Sequence, residues 1–426
     1  MTKIYFETHG CSANLAESEM MMGIAHSHGN EITQEENTAE VLVINICTVK
    51  GDTKALRQIR RLKLRHPTKK IIVAGCIPKH TVQKIKEISN EINLINTHNL
   101  TSINEVVQSS LKNKSHDAIN YKSNDNTISE LPRLRTNPII GIIPVSTGCT
   151  SSCTFCSVKQ IKGNLKSIPT EFIIKNIISS LKDGAREIWL TSQDNGCYGF
   201  DIGTNLVGLL GEIIKMEYNF KVRIGMASPH HLTGYLDKLL EIIISEKIFR
   251  FIHLPVQSGN NSVLRDMKRD YTIETYTETI NKLKMAFPDI TISTDIICGF
   301  PTETEEQFND TLRLIELLKF DIINISGYKA RPNTISSRMP QLSGKEIKNR
   351  TRKITKLFNV VALQQNRKWY GWTGSIVIDE IGKNNTFIGR NYAYKPVVVQ
   401  GKFNLGEEIT VKIVDSTNYD LRGEVI

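Results

Sequence analysis

The sequence contains no apolar run long enough to cross a bilayer, and its first residues, MTKIYFETHG, show neither a long apolar segment nor a small-residue cleavage site. These absences exclude a membrane-spanning protein and argue against secretion. We therefore expect a cytoplasmic protein with no membrane partner. There is also no repeat of solenoid period and no low-complexity tract. The chain is expected to form ordinary globular domains.

The composition of the 426 residues is that of a globular protein, with 40% hydrophobic and 23% charged side chains. This length exceeds what one core ordinarily supports, so two or three domains are expected. In the cytoplasm the eight cysteines should stay reduced, because disulfides are rare there. They are better explained as metal ligands or catalytic groups.

The charge of the chain favours a polyanionic partner, with a net charge of +10 and a pI near 9.1, although a basic pI can equally serve solubility. The distribution is more informative, because residues 50–70 carry nine Lys or Arg against one acidic residue, Asp52. A solvated helix face usually mixes both signs. We therefore predict that this run contacts nucleic-acid phosphates. The predicted contacts are Lys54, Arg57, Arg60, Arg61 and Lys63.

The apolar patterns divide this α/β chain into three segments and a linker. In residues 1–112, three strand-like runs alternate with helical patterns, which predicts a doubly wound parallel sheet. Residues 113–134 are polar and predict a linker. Residues 135–366 contain six strand–helix units, which predict a full or partial (β/α)6 barrel with its active site at the carboxyl ends of the strands. Residues 367–426 contain five short strands, which predict a small antiparallel β-barrel.

Two local patterns lie within these segments. The stretch PTETEEQFNDTLRLIELLKF predicts a helix whose capping box is formed by Thr302 and Glu305. The last segment has eight basic and seven acidic residues, so its charge does not support RNA binding. Its GRNYAYK stretch nevertheless offers side chains that can stack on and clamp a nucleic acid, with a structural role equally open. These side chains are Arg390, Tyr392, Tyr394 and Lys395.

Three cysteines, Cys149, Cys153 and Cys156, crowd the stretch TGCTSSCTFCSVK after the first strand of the second segment. A structural zinc site needs four ligands, and the next forty residues contain neither cysteine nor histidine. An iron–sulfur cluster held by three thiolates keeps one iron open for a small molecule. The C-x3-C-x2-C spacing, with Phe155 before the last cysteine, resembles the motif of radical S-adenosylmethionine (SAM) enzymes. The resemblance implies that SAM binds the open iron and yields a 5′-deoxyadenosyl radical.

A second set of cysteines, Cys11, Cys47 and Cys76, is scattered along the first segment, and each ends one predicted strand. If these strands are parallel, their carboxyl ends share one edge of the sheet, where open α/β sheets bind ligands. Packing would explain a single buried cysteine, but three at the same structural position argue against it. Cys197 and Cys298 are interpreted as having no ligand role.

Together these features resemble the methylthiotransferase family over nearly the whole chain. The matching motifs are GCSANLAESEMM, HLPVQSGNNSVLRDMKRDYT, TDIICGFPTETEEQF and ARPNTISSRM. Thr302 and Asn333 stand where the family usually has glycine, and because Asn tolerates a positive φ, we expect the turn at Asn333 to be kept. The last segment is similar to the TRAM domain with which the family holds RNA. The stretch TSQDNGCYGFDIGTNLVGLL is most similar to the archaeal and eukaryotic branch, which acts on N6-threonylcarbamoyladenosine beside the tRNA anticodon.

The resemblance implies a transferase with two [4Fe-4S] clusters and SAM as cofactors. Cys149, Cys153 and Cys156 would hold the SAM-binding cluster, whose radical removes hydrogen from adenine C2. The second set would hold an auxiliary cluster that carries the sulfur, which is methylated and transferred. The implied partners are tRNA, a reducing electron donor and a sulfur donor.

Polar residues that follow the barrel strands are candidates for SAM contacts, because the mouth of such a barrel is where function concentrates. Each is otherwise explained as a partner for loop backbone. The candidates are Gln193, Asp194, Arg223, Ser228, His253 and Gln257.

Three alternatives remain open from the sequence. One is a methylthiotransferase for isopentenyladenosine in tRNA or for an aspartate of a ribosomal protein, against which the DIGTNL stretch argues. Another is a non-catalytic zinc protein that binds RNA, which would need a fourth ligand at each cysteine set. The last is a redox-sensing iron–sulfur protein, for which the six-strand barrel and the third segment would be superfluous.

Overall fold

The computed structural model describes residues 1–47, 52–120 and 131–426. Lys50 of the basic run and residues 121–130 of the predicted linker lie outside the described residues. Three domains follow one another along the chain, and each has a hydrophobic core of its own. None of the helices in these ranges combines the length and the apolar composition that a bilayer span requires.

The N-terminal domain is a parallel sheet with helices on both faces. Its strands are β1 (Lys3–His9), β2 (Glu31–Thr33), β3 (Val41–Cys47), β4 (Lys70–Cys76) and β5 (Asn93–Asn96). Its helices are α1 (Ser12–Ser27), α2 (Asp52–Arg65), α3 (Lys79–Lys86) and α4 (Ile103–Leu111). The strand order is β2-β1-β3-β4-β5, with α1 and α4 on one face and α2 and α3 on the other. This arrangement confirms the predicted doubly wound sheet.

The strand order of this sheet places a binding crevice between β1 and β3. The chain winds outward from this point in both directions, and open α/β sheets bind ligands at such a switch point, beyond the carboxyl ends of the strands. The central strand β3 is buried along nearly its whole length because helices cover both of its faces. Strands β2 and β5 were not predicted, since three and four residues are too few to give a pattern.

The central domain is a partial barrel of six parallel strands, as predicted. They are β6 (Ile140–Pro144), β9 (Glu187–Thr191), β10 (Lys221–Ile224), β11 (Phe251–His253), β12 (Thr291–Cys298) and β13 (Ile322–Gly327). Two three-stranded sheets, β6-β9-β10 and β11-β12-β13, are joined by a single bridge between Val222 and Ile248. Among the described residues β6 and β13 are not paired, so the barrel is open on that side.

Helices surround the barrel and a short hairpin stands at its mouth. The hairpin pairs β7 (Ser146–Thr147) with β8 (Lys166–Ser167). The first helices are α5 (Val158–Lys162), α6 (Thr170–Lys182), α7 (Leu206–Ile214), α8 (Pro229–Thr233) and α9 (Leu236–Ile243). The later helices are α10 (Asn261–Asp266), α11 (Ile273–Ala286), α12 (Glu305–Leu318) and α13 (Gly344–Arg367). Helices α6, α7, α9, α11 and α12 contribute apolar residues to the largest core of the molecule.

The predicted capping box of α12 is wrong by two residues. The cap is Thr304, whose hydroxyl accepts the Gln307 N–H at 3.2 Å while the Gln307 side chain accepts the Thr304 N–H at 2.9 Å. Thr302 cannot start the helix because its φ of +71° lies in the left-handed region of the preceding turn.

The C-terminal domain is a closed five-stranded barrel. Its strands are β14 (Thr373–Ile381), β15 (Thr386–Arg390), β16 (Pro396–Gln400), β17 (Glu408–Ser416) and β18 (Leu421–Val425). All neighbours are antiparallel except β16 and β18. The predicted segment boundaries stay predictions. Helix α13 runs up to Arg367, the first residue of the predicted third segment. The described ends of the predicted linker pack against the first domain. Ala118 bridges to Ile95, and the Leu134 N–H bonds to the Glu19 carbonyl at 3.0 Å.

Candidate active site

The first cysteine set lies on a loop at the barrel mouth, between the hairpin strands β7 and β8. The loop turns at Gly148, where φ is +75° and a Cβ atom would lie 1.9 Å from the Asn164 carbonyl oxygen. Only glycine fits there. The Gly148 N–H bonds to the Gln193 side-chain oxygen at 2.7 Å, which ties the loop to the segment that follows β9.

Each sulfur of this set accepts a hydrogen bond from an N–H group. The donors are the Ser151 N–H to Cys149 and the Val158 N–H to Cys156, both at 3.4 Å, and Arg269 Nη1 to Cys153 at 3.1 Å. Such donors stabilise the thiolate, which is the form that binds metal. Arg269 was not among the predicted site residues, although it lies in HLPVQSGNNSVLRDMKRDYT, one of the motifs that carry the family resemblance.

Cys197, for which we predicted no ligand role, lies against this set. Its hydrogen bond lowers the pKa of Cys149 to about 6, whereas burial raises the pKa of Cys156 to about 11. Ligand-capable atoms of Cys197, Asp194 and His231 lie within 4.8 Å of one another. The Cys197 sulfur also lies 3.3 Å from the Asp194 carbonyl oxygen, so its one S–H has two possible acceptors, this oxygen and Cys149.

The second set converges at the switch point of the N-terminal sheet, as the sequence predicted. Cys47 and Cys76 are the last residues of β3 and β4 and are paired in register, while Cys11 is the residue before α1. The hydrogen bond with Cys47, together with burial, raises the pKa of Cys76.

Asn14, on the first turn of α1, connects the members of this second set. Its side-chain oxygen accepts from the Cys11 N–H at 3.4 Å and from the Cys11 thiol at 3.5 Å. Its amide nitrogen lies 3.9 Å from the Cys76 sulfur and donates to the Asn45 side chain at 3.1 Å. Because Asn14 is buried, these bonds fix Cys11 relative to the ends of β3 and β4.

Lys162 joins the two cysteine sets. It ends α5, six positions after Cys156, yet its ammonium group is buried and bonds to Glu17 and Thr97 of the N-terminal domain. Burial lowers the pKa of Lys162, but the negative charges at Cys76 and Glu17 outweigh it and raise the pKa overall. One side chain of the first loop therefore ends beside the second cysteine set.

The spacing of the sulfurs bears on which metal group fits. Within the described part of the chain, the three sulfurs of neither set all lie within 4.8 Å of one another. A tetrahedral zinc ion with Zn–S bonds of about 2.3 Å holds its thiolates roughly 3.8 Å apart. Three thiolates suit a four-iron cluster with one open iron, whereas a closed structural zinc site needs a fourth ligand, so the donor count of each set favours a cluster.

Three predicted SAM contacts lie together beside the first set. Asp194 is buried, which raises its pKa, and one carboxylate oxygen accepts the N–H groups of Gly196 and Ser228, both at 2.9 Å. The other oxygen makes no hydrogen bond with any described residue and lies 3.7 Å from His231 Nε2. A buried carboxylate oxygen without a donor suits the amino group of a ligand. Gln193 adjoins it through its bond to Gly148.

Two further predicted SAM contacts lie at the barrel mouth. His253 is the last residue of β11, and Gln257 follows that strand. His253 Nε2 lies 3.0 Å from the Asp295 carboxylate of β12. Gln257 has a φ of +71°, and its N–H bonds to the Asp295 carbonyl at 2.8 Å. Both residues are partly exposed, and their assignment to SAM stays a prediction.

Arg223 does not fit its predicted role. Its guanidinium lies between the rings of Trp189, Phe251 and Tyr394, with centroids 5.2 to 5.3 Å away. Tyr394 comes from the C-terminal barrel, so Arg223 stabilises the contact between the two barrels through cation–π interactions. We correct its assignment to a structural one.

The basic run forms helix α2, with its apolar side chains buried and its charges outside. Lys54, Arg57 and Arg60 are exposed and form no ion pair within the described residues. Arg61 lies 3.3 Å from Glu7 and Lys63 lies 3.4 Å from Glu91. The exposed face of α2 is therefore available to an anionic partner, and its contact with nucleic acid stays a prediction.

Two side chains predicted to clamp a nucleic acid, Lys395 and Arg390, bind other residues of the protein. Lys395 is 3% exposed, and its ammonium bonds to Asp321 at 2.7 Å and to Asn366 at 2.8 Å. Arg390 is paired with Asp379 at 3.0 Å. The structure therefore contradicts the prediction that Arg390 and Lys395 contact nucleic acid, because both cations already neutralise buried carboxylates where the barrels meet.

Comparison with known families defines the class of protein. Residues 143–315 match the radical SAM superfamily, residues 3–97 match the family described as "Uncharacterized protein family UPF0004", and residues 371–426 match the TRAM domain. A solved radical SAM methyltransferase, TsrM from Kitasatospora setae, has the same fold, with a TM-score of 0.57 and 12% identity over 79% of this chain and 77% of that one. The chain is a radical SAM protein with two flanking domains.

Curated relatives place the chain more narrowly. A probable threonylcarbamoyladenosine tRNA methylthiotransferase of Pyrococcus abyssi is 36% identical over 100% of both chains. The threonylcarbamoyladenosine tRNA methylthiotransferase of Xenopus laevis is 32% identical over 100% of this chain and 77% of its own length. The chain belongs to the threonylcarbamoyladenosine tRNA methylthiotransferase family.

Proposed function

We propose that this protein converts N6-threonylcarbamoyladenosine, next to the anticodon of a tRNA, into its 2-methylthio derivative. The family supports the reaction type, and its archaeal and animal members carry this substrate in their names. We place the reaction in the cytoplasm, with an external electron donor and an external sulfur donor as further partners.

The observation that carries the proposal is the connection of the two cysteine sets through Lys162. A methylthiotransferase must present one nucleobase to a radical source and to a sulfur carrier. The Lys162 side chain starts on the loop region of the first set and ends beside Cys76 of the second. The loop of the first set and the second set thus meet at one contact between the barrel and the N-terminal domain.

The chain's own residues hold, orient and shield the cofactors. The six cysteines would hold two [4Fe-4S] clusters, for which two sets of three thiolates are suited. Asp194, with its free carboxylate oxygen, and Gln193 would orient SAM by its amino group. When bound, the clusters and SAM supply the radical and the sulfur that replace hydrogen at adenine C2. No acid–base pair of ordinary pKa can do this, because that C–H bond is not acidic.

The test of this proposal has two readouts. Anaerobic purification and reconstitution should give a coloured protein with about eight irons per chain, as two four-iron clusters require. Nucleoside mass spectrometry of tRNA should show the 2-methylthio product in cells with the gene and its unmethylthiolated precursor in cells without it.

Two outcomes would contradict the proposal. Bound zinc in a colourless protein would favour a non-catalytic RNA-binding protein. Methylthio-threonylcarbamoyladenosine that persists in the deletion strain, together with loss of a methylthio group from isopentenyladenosine or from a ribosomal protein, would assign a different target.

A further inference from the structure

The loop between β13 and α13 is fixed to both cysteine-bearing regions. On one side, the Lys329 ammonium donates to the Thr53 hydroxyl at 2.6 Å, at the start of α2 and six residues after Cys47. On the other side, the Gln160 side chain donates to the Asn333 carbonyl at 3.0 Å, and Gln160 lies four residues after Cys156. The residues between these anchors therefore stand between the two cysteine sets.

A third anchor fixes the same loop more tightly. The Ser336 N–H and hydroxyl both donate to the Thr154 carbonyl, at 3.0 and 3.1 Å, within the C-x3-C-x2-C loop. The Tyr328 hydroxyl bonds to the Ser336 hydroxyl at 2.9 Å. Asn333 turns the chain with a φ of +63°. The loop is thus held at both of its ends, and its central residue has a defined position.

That central residue is Arg331, a half-buried cation without a bonded partner. Among the described residues its guanidinium donates no hydrogen bond and forms no ion pair. Burial lowers its pKa, and the charges at Asp52, Cys47 and Cys156 act in the opposite direction, so one cysteine of each set is within electrostatic reach. A guanidinium presents five N–H donors in a planar fork that matches a carboxylate.

The chemistry of the substrate supplies such an anion at this place. In adenine, C2 and the N6 substituent flank N1 on the same edge of the ring. When C2 points into the space between the cysteine sets, a group on N6 stays within a few bonds of it. The threonylcarbamoyl group ends in a carboxylate, whereas an unmodified adenosine has no charge there. The backbone phosphates lie on the far side of the ribose from the N6 substituent.

We propose that Arg331 binds the carboxylate of the threonylcarbamoyl group and so selects adenosines with an acidic N6 substituent. This inference rests on the proposed function. It makes Arg331 a specificity residue that is used in binding, whether or not the clusters are active.

The test measures binding of anticodon stem-loop RNAs to the reconstituted full-length protein by fluorescence anisotropy. Three RNAs differ only at the target base: threonylcarbamoyladenosine, its carboxylate methyl ester, and adenosine. A charge-assisted bidentate bond predicts that the wild type binds the acid about tenfold or more tightly than the ester or adenosine. The variant Arg331→Gln should bind all three RNAs with the wild type's affinity for adenosine, and Arg331→Lys should keep part of the preference.

The matched control is Arg338→Gln, on the same loop but exposed and unpaired among the described residues, which should keep the full preference. Equal weakening of all three RNAs by Arg331→Gln would identify a phosphate contact and overturn the inference. An undiminished preference in Arg331→Gln would overturn it too. The comparison of the acid with its methyl ester uses wild-type protein alone. Equal binding of these two RNAs would therefore refute the carboxylate contact even if the variants fold poorly.

The two proposals can fail separately. A wild type that forms the 2-methylthio product but binds acid and ester equally refutes the carboxylate contact and leaves the proposed function intact. A wild type that forms no such product from the threonylcarbamoyl RNA, although both clusters are present, refutes the proposed function.

Discussion

At the scale of single residues, the two positions that depart from the family's usual glycine both keep a glycine-like backbone. Asn333 has a φ of +63°, as expected for a residue that tolerates this region, and Thr302 has a φ of +71°. A β-branched residue is strained there, because its Cβ crowds the neighbouring carbonyl oxygen. The Thr302 hydroxyl lies 3.4 Å from Asp266, a weak contact that offsets little of this strain.

We therefore expect Thr302→Gly to stabilise the barrel. Removing threonine from the left-handed region stabilises the folded state by about 1–2 kcal/mol. The greater conformational freedom of glycine in the unfolded chain offsets roughly half of this gain. The midpoint of urea unfolding, followed by tryptophan fluorescence, should rise. Asn333→Gly is the control and should change the midpoint by less. A lower midpoint for Thr302→Gly would mean that the hydroxyl contacts outweigh the backbone strain.

At the scale of elements, the sequence located the cysteine sets because their signals are local: the first set is one compact motif, and Cys47 and Cys76 end recognisable strands. A strand that ends in a cysteine is recognisable from its own apolar run, and the parallel sheet then brings the ends together. The roles of Arg223, Arg390 and Lys395 were not predictable in this way. Tyr394 and Asp321 reach Arg223 and Lys395 only when the two barrels dock, and Asp379 reaches Arg390 only when β14 and β15 pair.

Helix α2 carries the predicted RNA contacts, and its charged side chains divide into exposed ones without an ion pair and ones paired with a carboxylate. Arg57 and Arg60 have no ion pair among the described residues, whereas Arg65 lies 2.8 Å from Glu36. An already paired arginine gains less from a phosphate, because binding must first release its carboxylate partner.

The double variant Arg57→Gln/Arg60→Gln should therefore weaken tRNA binding and reduce the slope of log K against log salt by about two, roughly one per lost phosphate contact. Binding of a full tRNA between 50 and 300 mM salt measures this slope. Arg65→Gln on the same helix should change this slope by less than the loss of one phosphate contact would. Equal slopes for the wild type and the double variant would mean that the RNA binds another face.

At the scale of the whole molecule, the site is built from surfaces that no single domain completes. The N-terminal sheet provides one cysteine set and the central barrel provides the other, while the C-terminal barrel packs Tyr394 against Phe249 and Phe251 at the amino-terminal ends of the strands. The buried contact of Lys162 with Glu17 and Thr97 is where the first two domains meet beside the cysteines. An ion pair removed from water therefore helps to fix their relative position, together with the apolar contact of α1 with β6.

Breaking this pair should loosen the two domains from each other. Lys162→Met leaves the Glu17 carboxylate buried without its cation, a change that costs about 3–5 kcal/mol. Thermal unfolding of the apoprotein should show the N-terminal domain melting earlier, and limited proteolysis should cut between residues 112 and 140 more readily. Lys162→Met/Glu17→Met should recover most of the loss, since apolar replacement of a whole buried pair is often neutral.

The exposed Lys182→Met serves as the control for the loss of a lysine and should melt like the wild type. If the double variant were as unstable as Lys162→Met, the loss would come from packing of the lysine stem and not from the unpaired carboxylate. If Lys162→Met melted like the wild type, the domains would be held by their apolar contact between α1 and β6. In that case Lys162 would influence the second cysteine set by its charge alone, because the geometry of the interface would survive without it.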